Sequence, residues 1–247
     1  MTKSRGPLHY FILVFGLWAG LILLAATFMA TRAPDPIVRA LFRMVCGLGY
    51  VWIVAGGITS WLWRDRIRTV VQSINLDWRL KFILFATLMA MLEEVVTTTM
   101  TNLAPVFGVR MGAVYITASG NYLDVVLFHS VIVLIPEFIA WAWLLSRYDF
   151  SPGAVFLLYG LTGTLGETLA FGPQNIGMLG FWMFVYGLMV YLPAYTIPSD
   201  RSVQKPGVLT YLSACVLPFL PVIPVVLAIT KGFHHPGFHF PPIHGRP

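Results

Sequence analysis

Residues 82–103, FILFATLMAMLEEVVTTTMTNL, set the terms for the whole chain: a run long enough to cross a bilayer with two adjacent acids, Glu93 and Glu94, at its centre. About 20 residues of helix span the roughly 30 Å of hydrocarbon in a membrane. The run lacks the alternation of a barrel strand, and a lipid-exposed backbone must make its hydrogen bonds within the segment, so it predicts a helix. A charge at the bilayer centre costs roughly 2.5–3.5 kcal/mol on insertion scales, which makes such residues hidden, paired and functional as a rule.

Working outward, six further apolar runs tile the sequence at 11–31, 37–63, 124–146, 154–171, 176–198 and 208–230. The 247 residues are 57% hydrophobic and 11% charged, against about 25% charged in an ordinary soluble domain. These observations predict an all-α, polytopic integral membrane protein of seven transmembrane helices, with six to eight compatible, in a single membrane domain over 1–247. The fifth run contains Gly160, Gly163 and Gly166 and meets Gly172-Pro173, so 154–198 reads either as two spanning helices or as a re-entrant hairpin. Pro218, Pro221 and Pro224 forbid a straight seventh helix. The Pro/His-rich tail, 232–247, reads as flexible.

Basic residues in short loops set orientation. Lys3 and Arg5, then Arg64, Arg66, Arg68, Arg79 and Lys81, then Arg147, then Arg201 and Lys205 fall on one side of a seven-span arrangement; Arg32, Arg39, Arg110, Lys231 and Arg246 form a minority opposite. This places the protein in the cell membrane with its amino terminus cytoplasmic and its carboxyl terminus outside. The first run is expected to remain as a helix, because Phe28-Met29-Ala30-Thr31-Arg32 offers no small-x-small cleavage site. Trp61, Trp63, Trp78, Trp141 and Trp143 are expected at the inner interface, where indoles settle. Residues 64–81 alternate basic and apolar, as in an interfacial helix attracted to anionic lipid. The net charge of +6 is accounted for by topology and the lipid bilayer, with no zinc-finger spacing or basic-aromatic patch for nucleic acid. Cys46 and Cys215 read as small apolar residues, not as a disulfide.

Glu93, Glu94, Glu137 and Glu167 all fall near mid-membrane when counted at about 1.5 Å per residue, with His129, Asp124 and Asn121 toward the outer side. Neighbours on a helix point about 100° apart, so one of Glu93 and Glu94 is expected to be the working group. Thr98 and Thr101 share a face with Glu94, and Thr97 shares one with Glu93. The pattern reads as an intramembrane hydrolase in which Glu94 is general base or metal ligand, His129 positions a water or an ion and Glu167 polarises it. Glu93 is the further catalytic candidate, Glu137, Asp124, Asn121 and Thr98 support the site, and a divalent metal is the cofactor allowed for. Its substrate or partner helix would come from within the membrane. The alternative is a proton- or cation-coupled carrier, or a subunit of a membrane complex, in which the acids relay protons or bind a cation.

A Glu-Glu pair on one helix and a histidine on the next resembles the CAAX-protease and bacteriocin-processing family of intramembrane proteases. The resemblance implies peptide hydrolysis by glutamate and histidine. It touches roughly 93–167 and departs from the family pattern at three points: Thr98 stands where an arginine follows the pair, Val125 where a phenylalanine precedes the histidine, and Glu167 and Asn175 offer no histidine-asparagine motif. His-Glu-x-x-His and Gly-x-Gly-Asp are absent, and Thr117-Ala118-Ser119-Gly120 falls in a loop, away from a base such as His129. His234, His235, His239 and His244 in the tail read as weak, geometrically unselective metal capture.

Overall fold

Polar residues at the loop ends start the helices. Asp35 accepts from the Ile37 amide at 2.7 Å ahead of Pro36, Asp77 from Arg79 at 2.9 Å, Asn121 from Leu123 at 3.0 Å, and Ser151 from Ala154 at 3.2 Å ahead of Pro152. Each such cap satisfies an amide that the helix itself leaves unpaired. The result is a computed structural model, describing residues 7–235, of seven helical elements: α1 Pro7–Arg32, α2 Pro36–Ser73, α3 Trp78–Asn102, α4 Tyr122–Leu145, α5 Pro152–Phe171, α6 Pro173–Tyr195 and α7 Val208–Gly232. No β-strand occurs among the described residues.

Six of these are long and apolar enough to cross a membrane. The other, α3, is of comparable length at 25 residues and carries the two acids. The protein is an all-α, polytopic membrane protein. Large apolar side chains cover its outside, Leu17, Leu21, Leu24 and Phe28 of α1 among them, as a surface solvated by acyl chains requires. The lysines, arginines and histidines beyond 235 and before 7, including Lys3, Arg5, His239 and His244, lie outside the described residues, as does most of the 232–247 tail.

α6 sits at the centre, packed against α1, α2, α3 and α5, and is buried on all sides from Gly180 to Ala194. A helix that is hydrophobic all round belongs in such a place. Its tightest partner is α5, where glycines let the backbones meet. A Cβ on Gly160 would lie 2.6 Å from the Met183 carbonyl oxygen, and one on Gly187 would lie 2.8 Å from that of Phe156. Gly172, at φ 104°, ends α5 and turns the chain through the short 3₁₀ stretch Pro173–Met178 into α6. Both elements are of membrane-spanning length, so two full helices occupy 154–198. The prolines of α7 break it, as expected, into Val208–Val216, a 3₁₀ turn at Leu217–Phe219, and Val222–Leu227.

Two details differ from the sequence reading. The basic stretch 64–81 is not a separate interfacial helix: α2 runs on unbroken to Ser73, where Ile74 turns extended, and α3 begins four residues later. Trp141 is fully buried and packs edge-on against Phe150 and Tyr159 in the core, so it is no interfacial anchor. Of the other four tryptophans expected at that interface, three meet arginines: Arg64 lies over Trp61 at 5.1 Å, Arg147 over Trp143 at 4.5 Å, and Arg79 and Arg201 over Trp78 at 5.0 and 5.2 Å. Arg201 also donates to the Leu145 carbonyl and faces Asp149 at 3.7 Å; burial pulls its guanidinium below the usual arginine range. Cys46 and Cys215 are free thiols.

Gly160→Ala is expected to force α5 and α6 apart and cost about 1–3 kcal/mol, read as a lowered thermal midpoint in detergent. Gly20→Ala, with nothing within 4 Å of the added carbon, should be neutral or slightly stabilising.

Candidate functional site

The structure gathers the candidate residues into three groups. In the first, α3 is enclosed on more than one side, by α2, α4 and α6, so both Glu93 and Glu94 are buried, at 5% and 6% exposure. Enclosure on several sides lets two adjacent side chains about 100° apart both be buried. Glu94 Oε2 accepts from the Thr97 hydroxyl at 2.8 Å, one turn on, and from the Thr117 hydroxyl at 3.3 Å. The Ser130 hydroxyl of α4 also faces it. Thr98, expected beside Glu94, is buried but its hydroxyl makes no hydrogen bond; the i+3 position, not i+4, reaches the carboxylate here. Thr101 instead accepts from the Ile116 amide at 3.2 Å.

Thr117 belongs to the loop that follows α3. Glu94 lies eight residues before the end of that helix, or about 12 Å along its axis, so the loop must fold back along α3 to reach it. The bonds of Ile116 to Thr101 and of Asn102 to the Gly120 carbonyl at 2.9 Å trace that return.

Glu167 comes to the same group from α5. Its Oε1 accepts from the Tyr186 hydroxyl of α6 at 2.5 Å. The ring of Tyr186 lies against Gly163, one turn before Glu167, where a Cβ would stand 2.1 Å from the ring. Glycine at 163 therefore makes the space through which Tyr186 reaches the acid. Glu93 lies within electrostatic reach of both Glu94 and Glu167, Glu167 within reach of Glu94, and Tyr186 within reach of all three.

Glu137 forms a second group. It is 5% exposed on α4, beside Pro136, and its neighbour is the fully buried Tyr159 of α5. The third group holds Asp124, His129 and His235, whose ligand atoms lie within 4.8 Å of one another. Asn121 caps α4. The hydroxyls of Thr97 and Thr117 bond Glu94, and Asp124 faces His129 at 3.4 Å. An apolar groove of about 650 Å³, lined by Trp52, Ile67, Leu84, Leu88 and Met89 among others, runs between α2 and α3 without reaching the acids.

The chain matches no protein-family model, no curated protein and no solved structure. The site is read from its own geometry.

Tyr186, Thr117, Ser130 and Tyr159 were not anticipated as site residues, and His235 was expected only to share in weak metal capture by the tail. A tyrosine in an apolar helix carries no periodic signal of its own, although Gly163 four residues before Glu167 marks the space that Tyr186 fills. Tyr186→Phe removes the only hydroxyl bonded to the Glu167 carboxyl among the described residues and is expected to destabilise the protein by about 1–3 kcal/mol, the cost of an orphaned, largely enclosed acceptor. Thermal unfolding measures this, with Tyr10→Phe, at an exposed position, as the neutral comparison.

Proposed function

We propose that this protein handles protons, or a hard cation in their place, at the group formed by Glu93, Glu94 and Glu167, as a coupled carrier in the membrane. The observation that carries the reading is the approach of three carboxyl groups from two helices within a lipid-facing bundle, ringed by the hydroxyls of Thr97, Thr117 and Tyr186. Three like charges in one low-dielectric volume repel strongly. The group is relieved by protonation of its members or by a bound cation. An all-oxygen ligand set suits hard ions.

The water-activating pair of a glutamate-histidine hydrolase needs both residues at one water, within about 2.6–3.2 Å of the proton transferred. Glu94 and His129 are instead engaged with different partners, which supports the carrier over the hydrolase. In the carrier, the end bearing Arg64, Arg79, Arg147 and Arg201 with their tryptophans faces the cytoplasm and its anionic lipid, with the amino terminus on that side.

The test is flux through the purified protein in liposomes loaded with a pH-sensitive dye. An imposed pH gradient, with Na⁺, K⁺ or Mg²⁺ as counter-ion, should relax faster than in protein-free vesicles. Glu94→Gln and Glu167→Gln should slow that relaxation at least about tenfold, a barrier change of about 1.4 kcal/mol. Glu137→Gln, outside the group, should stay within about twofold of the wild type. Relaxation no faster than in empty vesicles under every ion condition, or wild-type rates in both Gln variants, would refute the proposal.

A further inference from the structure

We propose that Asp124, His129 and His235 bind one divalent transition-metal ion of the zinc class, at a site separate from the acids of α3 and α5. Two imidazoles close on opposite oxygens of one carboxylate. His235 Nε2 stands 3.0 Å from Asp124 Oδ1, and His129 Nε2 stands 3.4 Å from Oδ2. Bonds of 2.0–2.1 Å at tetrahedral angles put neighbouring ligand atoms about 3.3 Å apart, a value these contacts bracket. The side chains are 15%, 9% and 14% exposed in the order Asp124, His129, His235.

The backbone is shaped for this convergence at both ends. Residues five apart on a regular α-helix point about 140° away from one another, so Asp124 and His129 would face different neighbours. Here the helix widens by a π-turn over Val125–His129, closed by the bond from the Ser130 amide to the Val125 carbonyl. One such turn brings positions five apart back to the same side, and wide turns of this kind gather at functional sites. At the end of α7, the His235 amide bonds back to the Ile229 carbonyl at 3.1 Å and His234 takes a left-handed φ of 52°. That turn is one residue wider than a Schellman motif but likewise ends the helix on a left-handed residue, and it carries His235 over α4. Phe128 then stacks flat on the His235 ring at 4.4 Å, with Phe233 edge-on to Phe128.

The two imidazole rings stand edge to face with their centres 5.1 Å apart. A divalent ion takes two neutral imidazoles and a carboxylate together, and an N₂O set of three protein ligands leaves a position for water or a substrate atom. An apolar crevice of about 460 Å³, lined by Leu127, Phe128, Ile132, Val225 and Phe233, lies beside the site between α4 and α7.

The experiment uses the full chain purified in detergent, stripped with chelator and titrated with Zn²⁺ and Co²⁺. The wild type should retain one Zn²⁺ per chain through dialysis, give the visible absorption of tetrahedral Co²⁺, and melt at a higher temperature with Zn²⁺ than without. Asp124→Ala, His129→Ala and His235→Ala should each lower Zn²⁺ affinity by more than about 100-fold, beyond what an outer-shell change produces. His235→Cys, which keeps a ligand, should bind Co²⁺ with a new thiolate charge-transfer band. That band tests ligation directly where an alanine variant fails to fold. His234→Ala, the pair His239→Ala and His244→Ala, and the carrier variants Glu94→Gln and Glu167→Gln should bind as the wild type does. The proposal is overturned by a wild type that retains no metal, by undiminished binding in His129→Ala or His235→Ala, by binding lost only with His239 and His244, or by the absence of the thiolate band.

Discussion

A carboxyl group inside a bilayer has no water to turn to, so it must be given its partners by the protein. The buried acids of this chain show how that demand shapes the bundle. Glu167 is met by Tyr186 from the next helix, and Tyr186 reaches it only because residue 163 has no side chain. Glu94 draws on a hydroxyl one turn along its own helix and on a loop that folds back to deliver Thr117. Glu137 lies against Tyr159 at the α4–α5 contact. Close packing of α5 on α6 is therefore the condition for hosting Glu167 as well as a source of stability.

Departures from regular helix geometry are placed where side chains need re-aiming. The wide turn at 125–129 sets His129 beside Asp124. Another, Gly49–Gly56 in α2, contains Trp52, whose indole donates to the Val185 carbonyl of the central helix at 2.9 Å. A third closes α7 just ahead of His235. In each case the extra residue per turn rotates the next stretch of chain relative to a regular helix.

The two ends of the molecule have different characters. At one, arginines lie over tryptophans of α2, α3 and α4, and Arg201, Asp149 and the backbone bridge between Tyr148 and Gln204 tie loops to the bundle. At the other, the loop after α3 and the end of α7 close over Glu94 and Asp124. The carboxyl group lies among hydroxyls and the histidine group among aromatic rings.

Hydrophobic run length alone determined the seven helices and nearly all their limits, because a bilayer demands some 20 apolar residues whatever their neighbours are. The break in α7 and the glycine seam of α5 were legible for equally local reasons. Which acids meet was not. Glu93, Glu94 and Glu167 come together, and Glu137 stands apart, because of how α3, α4, α5 and α6 are rotated against one another, and no count along the chain contains a rotation. The pairing of Asp124 with His129 depends on a turn that departs from the α-helical period, and the arrival of His235 depends on α7 packing against α4. Those contacts exist only once the helices have found their neighbours, since each is made between side chains far apart in sequence or out of phase on a regular helix.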